Sequence, residues 1–305
     1  MPAFNRVPGT DKDVSVVLAV KNEEIYVESA LSSILSQSGV DAEVIVVDDG
    51  STDATHAIVS RMMTAHPNLH LFRNPAVGKA AAFNYGVSQS RGKFVCLFAG
   101  DDIMPEGTLA QRFAAVKDRP SHNEVVGLCR IITMSEDKRF DGHVVPRKPD
   151  RGALSGMSYL MNPAAVGKFF PVPETLPNED TWMEIAATFF PTLDIVHSGV
   201  IGCAWRVHSG NSINMLVGFD EFNRKYTIRM RAFEMFYDQH KDELTDAGRA
   251  ELRGLIECER NRADGRVAGV LLSRVGLVPK LRALSFTNRG FYWIRARLYG
   301  LFSGR

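Results

Sequence analysis

Three of the adjacent carboxylate pairs in the sequence stand out: Asp48 and Asp49 in VVDDGSTD, Asp101 and Asp102 in FAGDDIMP, Glu179 and Asp180 in PNEDTW. Each pair has a chemistry open to it. A carboxylate fixed at a sheet edge can accept a hydrogen bond from the N–H of a nucleobase, a role that suits Asp49; the same DGSTD stretch would also serve as a helix-capping turn. Two hard oxygen ligands in a cleft, Asp101 and Asp102, suit Mg2+ or Mn2+, with a diphosphate supplying further ligands; an Asx turn that stops a strand would look alike. Glu179 and Asp180 open a helix, where the dipole favours acidic residues, and a carboxylate there can take the proton from an attacking hydroxyl. The stretch WRVHSGNS adds Arg206, His208 and Asn211, a set able to serve a metal or a phosphate.

The familiar phosphate and hydrolase signatures are absent. There is no GxGxxG, no Walker A spacing around the Gly–Lys pairs at 78–79 and 167–168, and no GxSxG elbow.

Positioning three acidic pairs takes a regular scaffold, and the first half of the chain predicts one. VSVVLAV, AEVIVVDDGS, LHLFRN and KFVCLFAGDD read as buried strands. NEEIYVESALSSILSQ, with Ile25, Leu31, Ile34 and Leu35 near helical spacing, TDATHAIVSRMMTAH, with Ser51 or Thr52 as N-cap, and GKAAAFNYGVSQS read as the helices between them. This alternation implies a mostly parallel sheet whose right-handed crossovers bring every strand's C-terminal end to one edge. Open α/β sheets bind ligands at that edge. Four strand ends deliver polar groups there: Lys21–Asn22–Glu23, Asp48–Asp49, Arg73–Asn74 and Asp101–Asp102. Further on, EVVGLCRIITMS, LDIVHSG and VIGCAWRVHSGNS read as three strands and EDTWMEIAATFF as a helix. From about Phe219 the chain is charged and helical.

The order VSVVLAVKNEE, VIVVDDGSTD, VGKAAAFNYGV, FAGDDIMP, NEDTW, WRVHSGNS resembles that of family 2 glycosyltransferases with the GT-A fold, over about residues 13–213. The resemblance implies an α/β GT-A catalytic domain over 1–213, its nucleotide-binding half at about 13–110 and its acceptor half at about 111–213. A helical C-terminal extension over 214–305 follows. It implies inverting transfer of a sugar, most readily from a UDP-sugar, to a hydroxyl of a glycan or lipid-linked glycan, in cell-surface polysaccharide synthesis. Carried over by position, Ala19, Glu23 and Asp49 would line the nucleoside pocket, and Lys79 and Asn84 would flank the base or ribose. Asp101 and Asp102, with His208, would hold Mg2+ or Mn2+ on the diphosphate. Arg206 would support the diphosphate, and Asp180 would be the general base. The chain departs from the family pattern where Ala99 replaces the first Asp of D-x-D-D, and where Ala19 and Lys21 replace a proline and an aromatic. A non-catalytic nucleotide-sugar-binding or scaffold subunit of the same fold is the alternative. A nucleotidyltransferase would show a glycine-rich phosphate loop after the first strand, and AVKNEE is not one.

Bulk properties narrow the setting. The 305 residues carry a formal net charge of +1, which gives no steering towards nucleic acid. No acidic residue follows Asp264, however, so residues 1–264 stand at about −7 and the tail is basic. A basic amphipathic tail over 266–305, with Phe291, Tyr292, Trp293, Tyr299 and Phe302 on its apolar side, would lie on an anionic membrane or pack against the catalytic domain or a second subunit. The N-terminus lacks a signal-peptide core, and the four scattered cysteines fit free thiols in a reducing compartment. The expected location is the cytoplasm, with the inner face of the cell membrane as the place the tail would hold it.

Overall fold

The computed structural model describes residues 12–138, 140–208 and 217–297. Strands β1 (Val14–Val20), β2 (Ala42–Asp48), β3 (Leu69–Arg73) and β4 (Phe94–Ala99) run parallel in the order β3-β2-β1-β4. The β-branched and aromatic side chains of β1, β2 and β4 are buried on both faces, as a sheet covered by helices requires. The crossovers are α1 (Val27–Leu35), α2 (Thr55–Met63) and α3 (Lys79–Gln89). β5 (Glu124–Met134), β6 (Val144–Val145), β7 (Tyr159–Met161) and β8 (Leu193–Arg206) extend the sheet beyond β4, with β7 antiparallel between β4 and β5, and β8 parallel to β5. This is the mixed, largely parallel α/β sheet of the GT-A fold.

Local readings of the sequence are corrected at three places. The segments LDIVHSG and VIGCAWR form one strand, β8, because a bulge around Gly199 absorbs extra residues: Leu128 pairs with His197 but Arg130 pairs with Ile201. α1 starts at Val27, leaving Ile25 outside its apolar face and 78 % exposed. α2 starts at Thr55, without a capping side chain at Ala54, because Ser51 and Thr52 are engaged elsewhere.

Helix α4 (Thr108–Ala114) follows the Asp101–Asp102 loop and buries Arg112. Its guanidinium donates to the carbonyls of Met157, Ser158 and Tyr159 at 3.3, 2.9 and 3.1 Å, fixing the turn at 156–158. α5 (Pro163–Phe169) begins with an Asn162 cap, its side chain accepting from the Ala165 N–H, and α6 (Asp180–Phe189) begins at the acidic pair. The sheet, α1 to α5 and the first residues of α6 belong to a unit made of the described residues up to Met183 together with Thr192–Val207.

A second unit holds Glu184–Pro191 and the described residues from His208 onwards. It is helical: α7 (Phe219–His240), α8 (Asp246–Ala263), α9 (Val267–Leu272), α10 (Leu277–Ser285) and α11 (Arg289–Arg297). Phe222, Phe286 and Tyr292 form one core there. Arg262, fully buried, pairs with Glu259 at 2.6 Å, bonds Asn223 and Thr227, and lies over the Tyr226 ring. Tyr292, expected on a membrane-facing stripe, is buried, and its hydroxyl donates to the Val217 carbonyl; Tyr299 and Phe302 lie outside the described residues. The expected domain boundary at residue 213 also lies outside them. No helix among the described residues is long and apolar enough to cross a membrane.

Candidate active site

The loops after β1 and β2 are laced together. Asn22, in the left-handed region at φ 57°, receives the Thr52 N–H on its side-chain oxygen and gives its own N–H to the Ser51 hydroxyl. The Glu24 N–H bonds Asp53, and the Ala54 N–H bonds Glu24. The Glu23 N–H is held by the Thr55 hydroxyl at 2.7 Å. Burial, reinforced by the charges of Asp101 and Asp53, pushes the Glu23 carboxyl up to about 7 against the opposing Lys79. Ala19 lies on β1 between Val47 and Ala99, so all three strands meet beneath this loop pair.

The first acidic pair divides its labour. Asp48 accepts from the Ser51 N–H and from His56, closing its own turn. Asp49 turns the other way: one oxygen accepts from the Asn74 amide at 2.7 Å and the Gly78 N–H at 2.8 Å, and the other lies 3.4 Å from Lys21. Gly78 has φ 108°, a conformation that side chains disfavour, and this lets its N–H reach Asp49 while the next residue, Lys79, starts α3. Asp49 thus shapes the loop that launches Lys79.

Asp101 and Asp102 separate in the same manner. Asp102 is 0 % exposed; one of its oxygens accepts the Arg206 N–H at 2.7 Å. Burial and the adjacent Asp101 charge push it up to about 8. Arg206 in turn donates its Nε to the Asp101 carbonyl at 2.8 Å, and its guanidinium lies 4.6 Å from the Tyr26 ring centre. Ile103 and Ala204 exchange two backbone hydrogen bonds beside it. Expected as a second metal ligand, Asp102 is instead a buried strut between the Asp101 loop and the end of β8. Among the described residues no group of three or more His, Cys, Asp or Glu is arranged to hold a metal.

Glu179 and Asp180 face the start of α3. Lys79 Nζ stands 3.2 Å from Glu179 Oε1. Burial opposes the charge on Lys79, but Glu179, Asp180 and Asp101 more than reverse this and hold its ammonium above the ordinary lysine range. Burial also pushes Glu179 up, with Lys79 pulling against it and Asp180 adding to it. Asp180 accepts the Gly156 N–H at 2.9 Å and the Asn178 amide at 3.3 Å. A Cβ on Gly156 would stand 2.8 Å from Asp180 Oδ1 and 2.9 Å from Glu179 Oε1, so the glycine gives both carboxylates their room.

Lys79 therefore stands amid Glu23, Asp101, Glu179 and Asp180, with carboxylates in surplus around it. The raised Glu23 and Asp102 carboxyls register that surplus. A divalent cation fits it: Asp101 offers one carboxylate, and Mg2+ or Mn2+ commonly takes one or two from protein with phosphate oxygens besides.

Asn84 does not join this cluster. Its side chain exchanges two 2.8 Å hydrogen bonds with the Val172 backbone and is buried, a brace between α3 and the following layer rather than a base or ribose contact. His208 is described, but Asn211 lies outside the described residues. Gly156 and Tyr26 were not singled out in the sequence. Tyr26 could have been, as an aromatic beside a polar strand end; Gly156, 24 residues before Asp180, gives no local signal.

Residues 15–164 match the model of "Glycosyl transferase family 2". The chain is 28% identical over 162 residues to the GalNAc(5)-diNAcBac-PP-undecaprenol beta-1,3-glucosyltransferase of Campylobacter jejuni, 52% of this chain and 50% of that one. It spans half or less of the length of the curated relatives it matches first, which are covered over 40%, 28% and 50%. Among solved structures, S. aureus TarS in complex with UDP-GlcNAc superposes with TM-score 0.61 at 20% identity, over 93% of this chain and 81% of that one. The mannosyltransferase PcManGT from Pyrobaculum calidifontis, in complex with GDP-Man and Mn2+, gives TM-score 0.57 at 18% identity, over 100% and 92%. Both share the fold. Set in this GT-A sheet, residues 15–164 belong to glycosyl transferase family 2.

Proposed function

We propose that the protein transfers a sugar, with inversion, from a nucleoside-diphosphate donor to a hydroxyl of a glycan or lipid-linked glycan, in the assembly of cell-surface polysaccharide. The carrying observation is that Lys79 stands between Asp101, at the end of β4, and Glu179–Asp180, at the start of α6. A leaving-group side and an acceptor side thus meet at one ammonium. UDP-sugars are the preferred donors, a choice supported by the UDP-GlcNAc held by S. aureus TarS on the same fold.

Asp180 takes the proton of the acceptor hydroxyl. The Gly156 N–H and the Asn178 amide orient its carboxylate. The freed oxygen attacks the anomeric carbon as the bond to the diphosphate breaks, and the nucleoside diphosphate departs. Arg206, fixed by the Asp101 carbonyl and Tyr26, offers positive charge beside the departing group, and Lys79 places a second positive charge near Asp180. Asp101 would hold Mg2+ or Mn2+, whose chemistry here is to neutralise the diphosphate. Glu23 and the loop shaped by Asp49 bound the nucleoside side. The basic tail, residues 266–305, keeps the enzyme beside its acceptor, on a membrane or against a second subunit.

A thermal-shift screen of UDP-, GDP- and dTDP-sugars with and without Mn2+ tests this reading, because a ligand that binds the native state raises the melting temperature. A UDP-sugar with Mn2+ is expected to give the largest rise. The absence of a rise with every nucleotide sugar would sink the reading. Ala99 favours the alternative, a non-catalytic nucleotide-sugar-binding subunit; stabilisation without transfer or donor hydrolysis would mark that case.

A further inference from the structure

Large apolar side chains are exposed at unequal density along the chain. Leu271, Leu272, Leu277, Val278 and Leu281 are 52, 82, 72, 76 and 54 % exposed. They flank a single turn, 273–276, between α9 and α10. The opposite side of this pair is already used: Val270 and Ala283 pack with Cys258 of α8, and the Arg274 carbonyl lies so close to Gly254 that a Cβ there would stand 2.7 Å away. The helix pair is therefore apolar on its inner side and again on its outer side. On α11, Trp293 and Ile294 are also exposed, with the Arg297 guanidinium 4.2 Å from the Trp293 ring centre.

Charge selects the occupant of this surface. Arg274, Lys280 and Arg282 share the segment with the five apolar residues, and no acidic residue occurs after Asp264. A second copy docking by the same face across a two-fold axis would set cations against cations. An anionic lipid surface accepts both parts: leucine and valine enter the headgroup boundary, and arginine and lysine stay with the lipid phosphates.

We infer that the α9–α10 turn is a membrane-docking element that inserts Leu271, Leu272, Leu277, Val278 and Leu281 into an anionic bilayer surface. This commits the tail described under the proposed function to one partner and moves the contact from the aromatic end of the tail to this turn. It rests on the surface and not on the donor chemistry, so flotation and donor binding can fail separately.

Flotation of the full chain tests it, using vesicles of phosphatidylcholine alone and of equimolar phosphatidylcholine and phosphatidylglycerol. The protein is expected to float with the phosphatidylglycerol vesicles, to stay behind with phosphatidylcholine alone, and to be released progressively by salt. Leu272→Asp/Val278→Asp is expected to lower the bound fraction roughly tenfold or more with an unchanged melting temperature. Arg274→Glu/Lys280→Glu, which leaves the apolar residues in place, is expected to lower it similarly. Failure of the wild type to float with phosphatidylglycerol vesicles overturns the inference, as does equal flotation of both variants. So does a dimer, seen by sedimentation velocity without lipid, that either variant converts to monomer.

Discussion

Lys79 and Glu179 form an ion pair, Nζ to Oε1 3.2 Å, that joins the first residue of α3 to the residue before α6. Glu179 is 3 % exposed, whereas the Lys79 side chain is 40 % exposed. Removing the cation leaves a buried carboxylate without its partner. Breaking a fully buried pair costs about 3–5 kcal/mol; since water reaches Lys79, about 2 kcal/mol is expected for Lys79→Met. The double variant Lys79→Met/Glu179→Gln should be more stable than the sum of the single effects, which urea denaturation of all four proteins will read.

Asp180→Asn keeps an acceptor for the Gly156 N–H but cannot take a proton. Transfer is expected to fall by about 100- to 10,000-fold, with the affinity for donor retained. Single-turnover transfer and calorimetric donor binding measure the two separately. A variant transferring at the wild-type rate would remove Asp180 from the role of base.

Gly156→Ala tests the room left for both carboxylates. The new methyl would meet Asp180 Oδ1 at 2.8 Å, so the carboxylate must move. A displacement of that order costs transfer about a hundredfold, and the crowding costs about 1–3 kcal/mol of stability. Donor affinity, set on the other side of Lys79, should change little.

Asp101 and Asp102 should respond differently although they are neighbours. Asp102→Asn retains an oxygen for the Arg206 N–H and is expected to fold and bind donor as the wild type does at neutral pH, since the buried carboxyl already favours its protonated form. Asp102→Ala orphans that N–H and should cost about 1–3 kcal/mol. Asp101→Asn should leave stability intact and abolish the gain in donor affinity on adding Mn2+. Titrating each variant with Mn2+ and donor, and melting each, separates a strut from a ligand.

Glu23 makes stability depend on pH. Its folded carboxyl titrates at about 7, above the ordinary 4.5, so between those values the native state holds a proton that the unfolded chain has released. Its contribution is complete below pH 4.5 and is lost as pH rises through about 7. In Glu23→Gln that dependence disappears. The melting temperature of the wild type relative to the variant should therefore fall by a few degrees across this window, as calorimetry at several pH values will measure.

The strand-end placement of Glu23, Asp49 and Asp101 was legible because continuous β-branched runs, broken by polar residues, leave few alternatives to a parallel sheet. Which member of each acidic pair faces the cleft was not legible. The split is made in the turns past the strand ends: Asp48, the last residue of β2, closes its own turn while Asp49, just beyond it, braces the Lys79 loop, and Asp102, past the end of β4, is buried beside Asp101. Asn84 follows the same lesson: it sits five residues beyond Lys79 on the same helix, yet its amide is consumed by the Val172 backbone. Gly156 belongs to the cleft only because Arg112 gathers the carbonyls at 157–159, a long-range bond without a trace in local pattern.

The lacing of Asn22 and Glu24 to Ser51, Thr52, Asp53 and Ala54 has a bearing on engineering. The two loops are a single mechanical part assembled from segments almost thirty residues apart. A chimera that imports only one of them from a relative breaks four hydrogen bonds at once. Recombination aimed at altered donor preference must therefore place its crossovers outside residues 20–55, so that both loops travel together with the strand between them.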